Sequence, residues 1–88
     1  MLLENENFTI YEVESLKEEF ISELQNESVT IDMKNVSKID MSAISLLISL
    51  KKSTQNQNKK FHLQNCSDAV LMSLSVCGCD SYLGVYGG

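Results

Sequence analysis

The sequence predicts one α/β domain of alternating short strands and helices. Three observations carry this. Val29–Met33 and Phe61–Gln64 alternate apolar and polar residues at the strand period. Each is followed by a stretch rich in helix formers, one after Ser42 and one after Ser67 or Asp68. The intervals between strands are long enough for crossover helices, which favours at least some parallel pairing. With 88 residues, there is material for a single modest core and not for two.

Taken in order, Met1–Glu6 offers a short apolar start, an edge strand through Leu2 and Leu3. Thr9 followed by Glu12 is a capping box, and Phe8 with Val13 completes a hydrophobic staple. A helix to about Leu24 then places Val13, Leu16, Phe20 and Leu24 on one face, with Glu12, Glu14, Glu18, Glu19 and Glu23 mostly outside. Gln25–Ser28 turns into the strand at Val29, and Lys34–Lys38 is a polar loop. Asp32 reads as a strand-end residue bonding that loop's backbone.

Ile39-Asp40-Met41-Ser42 leads into the central helix. Ser42 occupies the expected N-cap position. Asp40 lies just upstream, where the positive end of the helix dipole favours a carboxylate. On a helical wheel Ser42, Ser45, Ser49 and Lys52 form a narrow polar stripe. Ala43, Ile44, Leu46, Leu47, Ile48 and Leu50 cover about 200°, wider than the ~100° a surface helix needs. The surplus is assigned to Ile44 and Ile48, which either meet another helix or form an exposed apolar patch beside Ser42. Ser53–Lys60 lacks apolar periodicity and is expected as a surface loop. After the strand at Phe61, a helix capped by Ser67 or Asp68 buries Val70, Leu71, Leu74 and Val76 and stops at Gly78. Tyr82, Leu83, Val85 and Tyr86 suggest a last short strand or turn on the core, and Gly87-Gly88 is expected to fray.

The net charge of −5 is segregated: all eight glutamates lie in the first 27 residues, against Lys17 alone. An acidic chain with no arginine and no lysine–aromatic interleaving does not suit nucleic acid. No run of eighteen apolar residues and no secretory leader pattern is present, so a soluble cytoplasmic protein without direct membrane insertion is expected. Three cysteines are an odd number, which argues for reduced thiols over a disulfide framework. His62, Cys66, Cys77 and Cys79 supply a Cys₃His count, but the C-x-C spacing departs from C-x₂-C. No metal or cofactor is expected. Nothing supplies an orienting carboxylate for a Cys–His pair, and every glycine lies at or beyond position 78, so a phosphate loop is excluded. A non-enzymatic binding module is the reading that remains.

The stretch from Val29 through Asp32, Val36, Asp40, Ser42 and Ala43 to Leu47 resembles the signature of STAS domains. That signature is an apolar strand, a short loop with a central Val, then Asp-Ser-Ser-Gly or Asp-Thr-x-Gly before an apolar helix. Phe61–Val70 resembles the family's later strand, Asn and Ser-x-x-Val helix entry, and Leu74–Asp80 its Leu-x-x-x-Gly-x-Asp helix end. The likeness covers about residues 8–85. It implies a small STAS-like fold, a mixed β-sheet with helices packed largely on one face. In anti-sigma factor antagonists of this family the motif serine is phosphorylated by an anti-sigma kinase that the unmodified form sequesters. Ser42 matches that serine and Asp40 the motif aspartate. Met41 stands where a second Ser or Thr is common, and Ala43 where glycine is usual.

The implied partner surface is therefore Asp40, Met41, Ser42, Ala43, Ile44, Ser45 and Ile48, with Ser42 the phosphorylation candidate. The implied function is a bacterial signalling module, monomeric when free, that binds an anti-sigma kinase-like protein. The short segment before Phe8 is more like the STAS subunits of phospholipid-transport ABC systems, which implies as the alternative a constitutive subunit bound to its ATPase.

Overall fold

A computed structural model describes residues 1–83. Its elements are β1 (Asn7–Phe8), α1 (Ile10–Glu23), β2 (Ser28–Asp32), β3 (Lys38–Ile39), α2 (Met41–Asn56), β4 (Lys60–Gln64), α3 (Asp68–Val76) and α4 (Asp80–Leu83). The strands form two parallel pairs: β2 with β4, in the register Val29↔Phe61 and Ile31↔Leu63, and β1 with β3, Phe8↔Ile39. The α/β architecture expected for a STAS-like fold is present, and each strand pair is joined through intervening helix as parallel pairing requires.

Alternation buries one side of β2. Val29, Ile31 and Met33 are fully buried and share one core with Phe20, Leu47, Leu50, Phe61, Val70, Leu74 and Leu83. The predicted face of α1 is the buried one. Phe20 is enclosed, Val13, Leu16 and Leu24 pack against the core, and the Phe20 ring stacks on Phe8 at 5.7 Å between centroids. The capping box forms as expected, since Glu12 Oε1 accepts from the Thr9 N–H (2.9 Å) and the Thr9 hydroxyl (2.7 Å). Those bonds, the hydroxyl's foremost, hold the Glu12 carboxyl below its usual range.

Several local expectations need correction. The edge strand through Leu2 and Leu3 reduces to one parallel bridge, Leu2↔Asp32. β1 and β3 stand where a start segment and the end of a loop were expected; at two residues each they carry no alternation to read. α2 does not end at Lys52 but continues to Asn56. Thr54 turns inward, fully buried, and its hydroxyl bonds the Lys51 carbonyl (2.7 Å), so a polar residue is accommodated on the buried face. Val76, expected in the core, is exposed near the last turn of α3. Tyr82 and Leu83 belong to the one-turn helix α4, with Leu83 buried, while the expected contributions of Val85 and Tyr86 lie outside the described residues.

Candidate functional site

The site is built where β3 gives way to α2. The N-cap of α2 is Asp40, not Ser42: its backbone is extended (φ −122°, ψ −179°) and its Oδ1 accepts from the Ala43 N–H at 3.1 Å. Asp is as good a cap as Ser, and because β3 ends at Ile39 the chain must turn at residue 40. The other carboxylate oxygen, Oδ2, accepts from the N–H of Ile10, the first residue of α1, at 2.9 Å. One side chain thus satisfies orphan donors at the starts of two helices. Burial pushes the Asp40 carboxyl up, but the N–H groups of Ile10, Ala43 and Ser42 outweigh it and hold the carboxyl below its usual range.

Displaced from the cap, Ser42 sits in the first turn of α2, half-buried, and its hydroxyl makes no hydrogen bond among the described residues. Met41 beside it is exposed. An apolar groove of about 380 Å³ opens there between the start of α2 and the outer side of α3, lined by Ile39, Asp40, Met41, Ile44, Met72, Ser73, Val76 and Cys77. Its rim is open to solvent, with Met41 58%, Met72 68% and Val76 83% exposed, whereas Ile44 in its lining is 2% exposed. Met72 and Val76 are four residues apart, which sets them on one side of α3.

Of the residues expected to form a partner surface, the structure brings Asp40, Met41 and Ile44 together in this groove. Ser42 adjoins them in sequence and Ser45 is exposed one turn on. Ala43 is fully buried, and Ile48 is half-buried against the core. The surplus apolar arc assigned to Ile44 and Ile48 is accordingly taken up by packing: Ile44 is buried and is no part of an exposed patch. Met72, Val76 and Cys77 were not expected at the site. Met72 and Val76 keep the four-residue spacing of a helix face, but sequence alone does not say which face of α3 stays uncovered.

On the loop below, Asp32 Oδ1 accepts from the Lys34 N–H (3.0 Å) and from Asn65 Nδ2 (3.2 Å), the strand-end role expected of it. The Lys34 bond foremost, with Asn65 adding to it, holds the Asp32 carboxyl below its usual range. Ser67 caps α3 by accepting from the Val70 N–H (3.3 Å) and donates to the Val36 carbonyl (3.0 Å), tying α3 to the β2–β3 loop. Among the described residues no group of three or more His, Cys, Asp and Glu side chains is placed to hold a metal ion. No helix of the described residues is long and apolar enough to cross a membrane.

The groove offers a surface for another molecule's apolar side chains, with the ionised Asp40 in its lining and Ser42 two residues further along the chain. The family model of the STAS domain matches residues 5–87, essentially the whole chain. No curated protein matches it significantly. The chain belongs to the STAS domain family, and with that membership goes a role in protein–protein interaction.

Proposed function

We propose that this STAS domain is a regulatory module that sequesters a partner protein on the surface around Ser42, and that phosphorylation of Ser42 releases the partner. The observation that carries this reading is the juxtaposition at the start of α2. Ser42, whose hydroxyl makes no hydrogen bond among the described residues, directly follows exposed Met41 in the chain, and Met41 lines a groove that exposed Met72 and Val76 also line. Exposed apolar side chains gathered in this way suit a protein contact. The partner this reading favours is an anti-sigma kinase-like protein in a bacterial signalling pathway.

A phosphate on Ser42 adds about −1.5 to −2 charges at neutral pH. In the first turn of α2 it meets the positive end of the dipole, worth roughly 0.3–1 kcal/mol. The nearby Asp40 carboxylate opposes it, so the fold itself changes little in stability. A partner covering Ser42 and the groove would instead have to desolvate the dianion, a far larger penalty unless it supplies cations.

The test uses the partner recovered by affinity capture and compares calorimetric titrations of wild type, Ser42→Asp and Ser42→Ala. Ser42→Asp should fold normally and bind at least tenfold more weakly, about 1.4 kcal/mol. Ser42→Ala should keep most of the affinity, because the structure gives the hydroxyl no bond to lose. Equal affinities for wild type and Ser42→Asp would remove the charge switch and leave a constitutive subunit, held for instance by an ABC ATPase, as the better account.

A further inference from the structure

α3 ends in Cys77-Gly78-Cys79, and the fold directs the Cys79 sulfur toward the Cys77 carbonyl and the Cys77 sulfur toward the Leu74 carbonyl that the Cys79 N–H also bonds. Cys77 is the C-cap, with φ −89° and ψ 2°. Gly78 follows in the left-handed region at φ 73°, a conformation that costs an L residue roughly 1–2 kcal/mol. The Gly78 N–H donates to the Ser75 carbonyl (3.0 Å) and the Cys79 N–H to the Leu74 carbonyl (2.9 Å), the paired bonds of a Schellman end.

The same Leu74 oxygen also accepts from the Cys77 thiol at 3.3 Å. The Cys77 sulfur and the Cys79 amide therefore meet on one atom. From the other side, the Cys79 sulfur lies 3.7 Å from the Cys77 carbonyl oxygen. Residues two apart have Cα atoms at most about 7 Å apart when extended. A turn through left-handed Gly78 shortens that separation toward the range of about 4.4–6.8 Å that a disulfide spans. Both thiols are reduced and half-buried, and Cys77 lines the groove beside Met72 and Val76.

We propose that Cys77 and Cys79 close an intramolecular disulfide by exchange with a low-molecular-weight disulfide, and that closure reshapes the α3 wall of the groove. The regulatory meaning of the second step rests on the groove's being the partner surface. In the exchange, the Cys77 thiolate attacks one sulfur of the small disulfide. A mixed disulfide forms, the small S–S bond breaks, and the departing thiolate takes up the proton that Cys77 gave away. Cys79 then attacks the Cys77 sulfur and expels the second small thiol, which takes the Cys79 proton. Two protein thiols are oxidised and one small disulfide is reduced to two thiols. To make the bond the Cys77 sulfur must leave the Leu74 carbonyl, so the Cys77 side chain, itself part of the groove wall, has to move. A ring closed through a single glycine belongs with the strained, readily reduced disulfides and not with permanent structural ones. Cys66 has no such partner geometry, and burial pushes its thiol up, which keeps it in the less nucleophilic form.

The experiment treats the full chain carrying Cys66→Ser, or Cys66→Ala should the first fold poorly, with oxidised glutathione. Intact mass and non-reducing gels are recorded alongside methionine-methyl NMR spectra. The expected product is a monomer lighter by two hydrogens, reversed by excess thiol, while Cys79→Ser in the same background stops at a single glutathione adduct. The Met41 and Met72 methyl signals should move on oxidation and that of buried Met33 should not. Glutathione adducts on both cysteines, or only disulfide-linked dimers, would overturn the internal bond. A closed disulfide with unmoved Met41 and Met72 signals would overturn its coupling to the groove. No partner enters these measurements, so their failure leaves the docking reading standing, and failure of the Ser42 titrations leaves the thiol chemistry standing.

Discussion

Two hollows at different places on the strand framework invite comparison. The groove at the carboxyl end of β3 encloses about 380 Å³ and is apolar at its rim. The other, at the amino ends of β2 and β4, is larger, about 520 Å³, and is lined by Glu27, Ser28, Gln57, Asn58, Lys59 and Lys60. Size alone would choose the second. Asn58 and Lys59 in its lining, however, serve the chain's own turns. Asn58 takes the left-handed position (φ 57°) that ends α2, with the Lys59 N–H bonded to the Thr54 carbonyl at 2.8 Å. The Lys59 ammonium donates to the Leu24 carbonyl at the end of α1. In the smaller groove Met41, Met72 and Val76 have no such employment inside the fold. A concavity formed where turns meet and a lysine ties one helix end to another is a by-product of chain connection. One edged by uncovered apolar side chains is where a partner gains most.

The sharpest test of this contrast is a truncation in each hollow. Ile44→Ala, under the apolar groove, should lower unfolding stability by about 2–5 kcal/mol, as deletions of buried Ile and Leu do. Gln57→Ala, exposed in the polar hollow, should stay within about 0.5 kcal/mol. Urea unfolding of both variants checks this, and similar losses at the two sites would erase the distinction.

Next comes binding without loss of fold. Met72→Asp should weaken partner binding at least tenfold, about 1.4 kcal/mol, while its unfolding midpoint stays near wild type because the side chain is exposed. Lys60→Glu, which reverses a charge at the other hollow, should leave affinity within about twofold, roughly 0.4 kcal/mol. A larger effect from Lys60→Glu than from Met72→Asp would transfer the site to the polar hollow.

The smallest expected effect concerns the carboxylate beside the groove. Asp40→Ala removes a helix cap, typically worth about 0.5–2 kcal/mol. The acid side of the stability profile gives an independent reading. Asp40, Asp32 and Glu12 all titrate below their ordinary values in the folded chain. Their stabilisation is therefore fully present above the unfolded values of about 4 and is lost as pH falls through the lowered folded ones. Asp40→Asn should flatten that acid limb, measured as the urea midpoint across acidic pH. A limb unchanged by the substitution would mean that Asp40 contributes nothing to it.

The contrast between the hollows also separates what could be read in the sequence from what could not. The Thr9–Glu12 box, the Val29–Ile31–Met33 alternation and the Ser67 cap are local signals, complete within a few residues, and each is realised. Asp40 was placed near the helix start but not at the cap, because β3, the two-residue strand that fixes where the chain turns, exists only through pairing with Asn7 and Phe8 about thirty positions earlier. Ile44 looked surplus on the helical wheel because the wheel knows nothing of what packs around α2, and in the fold Ile44 belongs to the core. The groove depends on the same nonlocal fact. Met41 lay within the stretch singled out, but Met72 and Val76 join it only once α3 docks.

Every strand pairing among the described residues is parallel, and that has a consequence for how the chain comes to exist. There is no hairpin in which a strand meets its neighbour as soon as a turn is made. Ser28–Asp32 must wait for Lys60–Gln64, and Asn7–Phe8 for Lys38–Ile39. During synthesis, at about 5–20 residues per second, Val29 and Ile31 leave the ribosome seconds before Phe61 and Leu63 can cover their edge. The contacts that close the sheet are all distant in sequence, which slows folding for a domain of this size. Helices α1 and α2, whose hydrogen bonds are local, are the parts able to form in that interval, and Asp40 can join their ends before the β2–β4 pair exists.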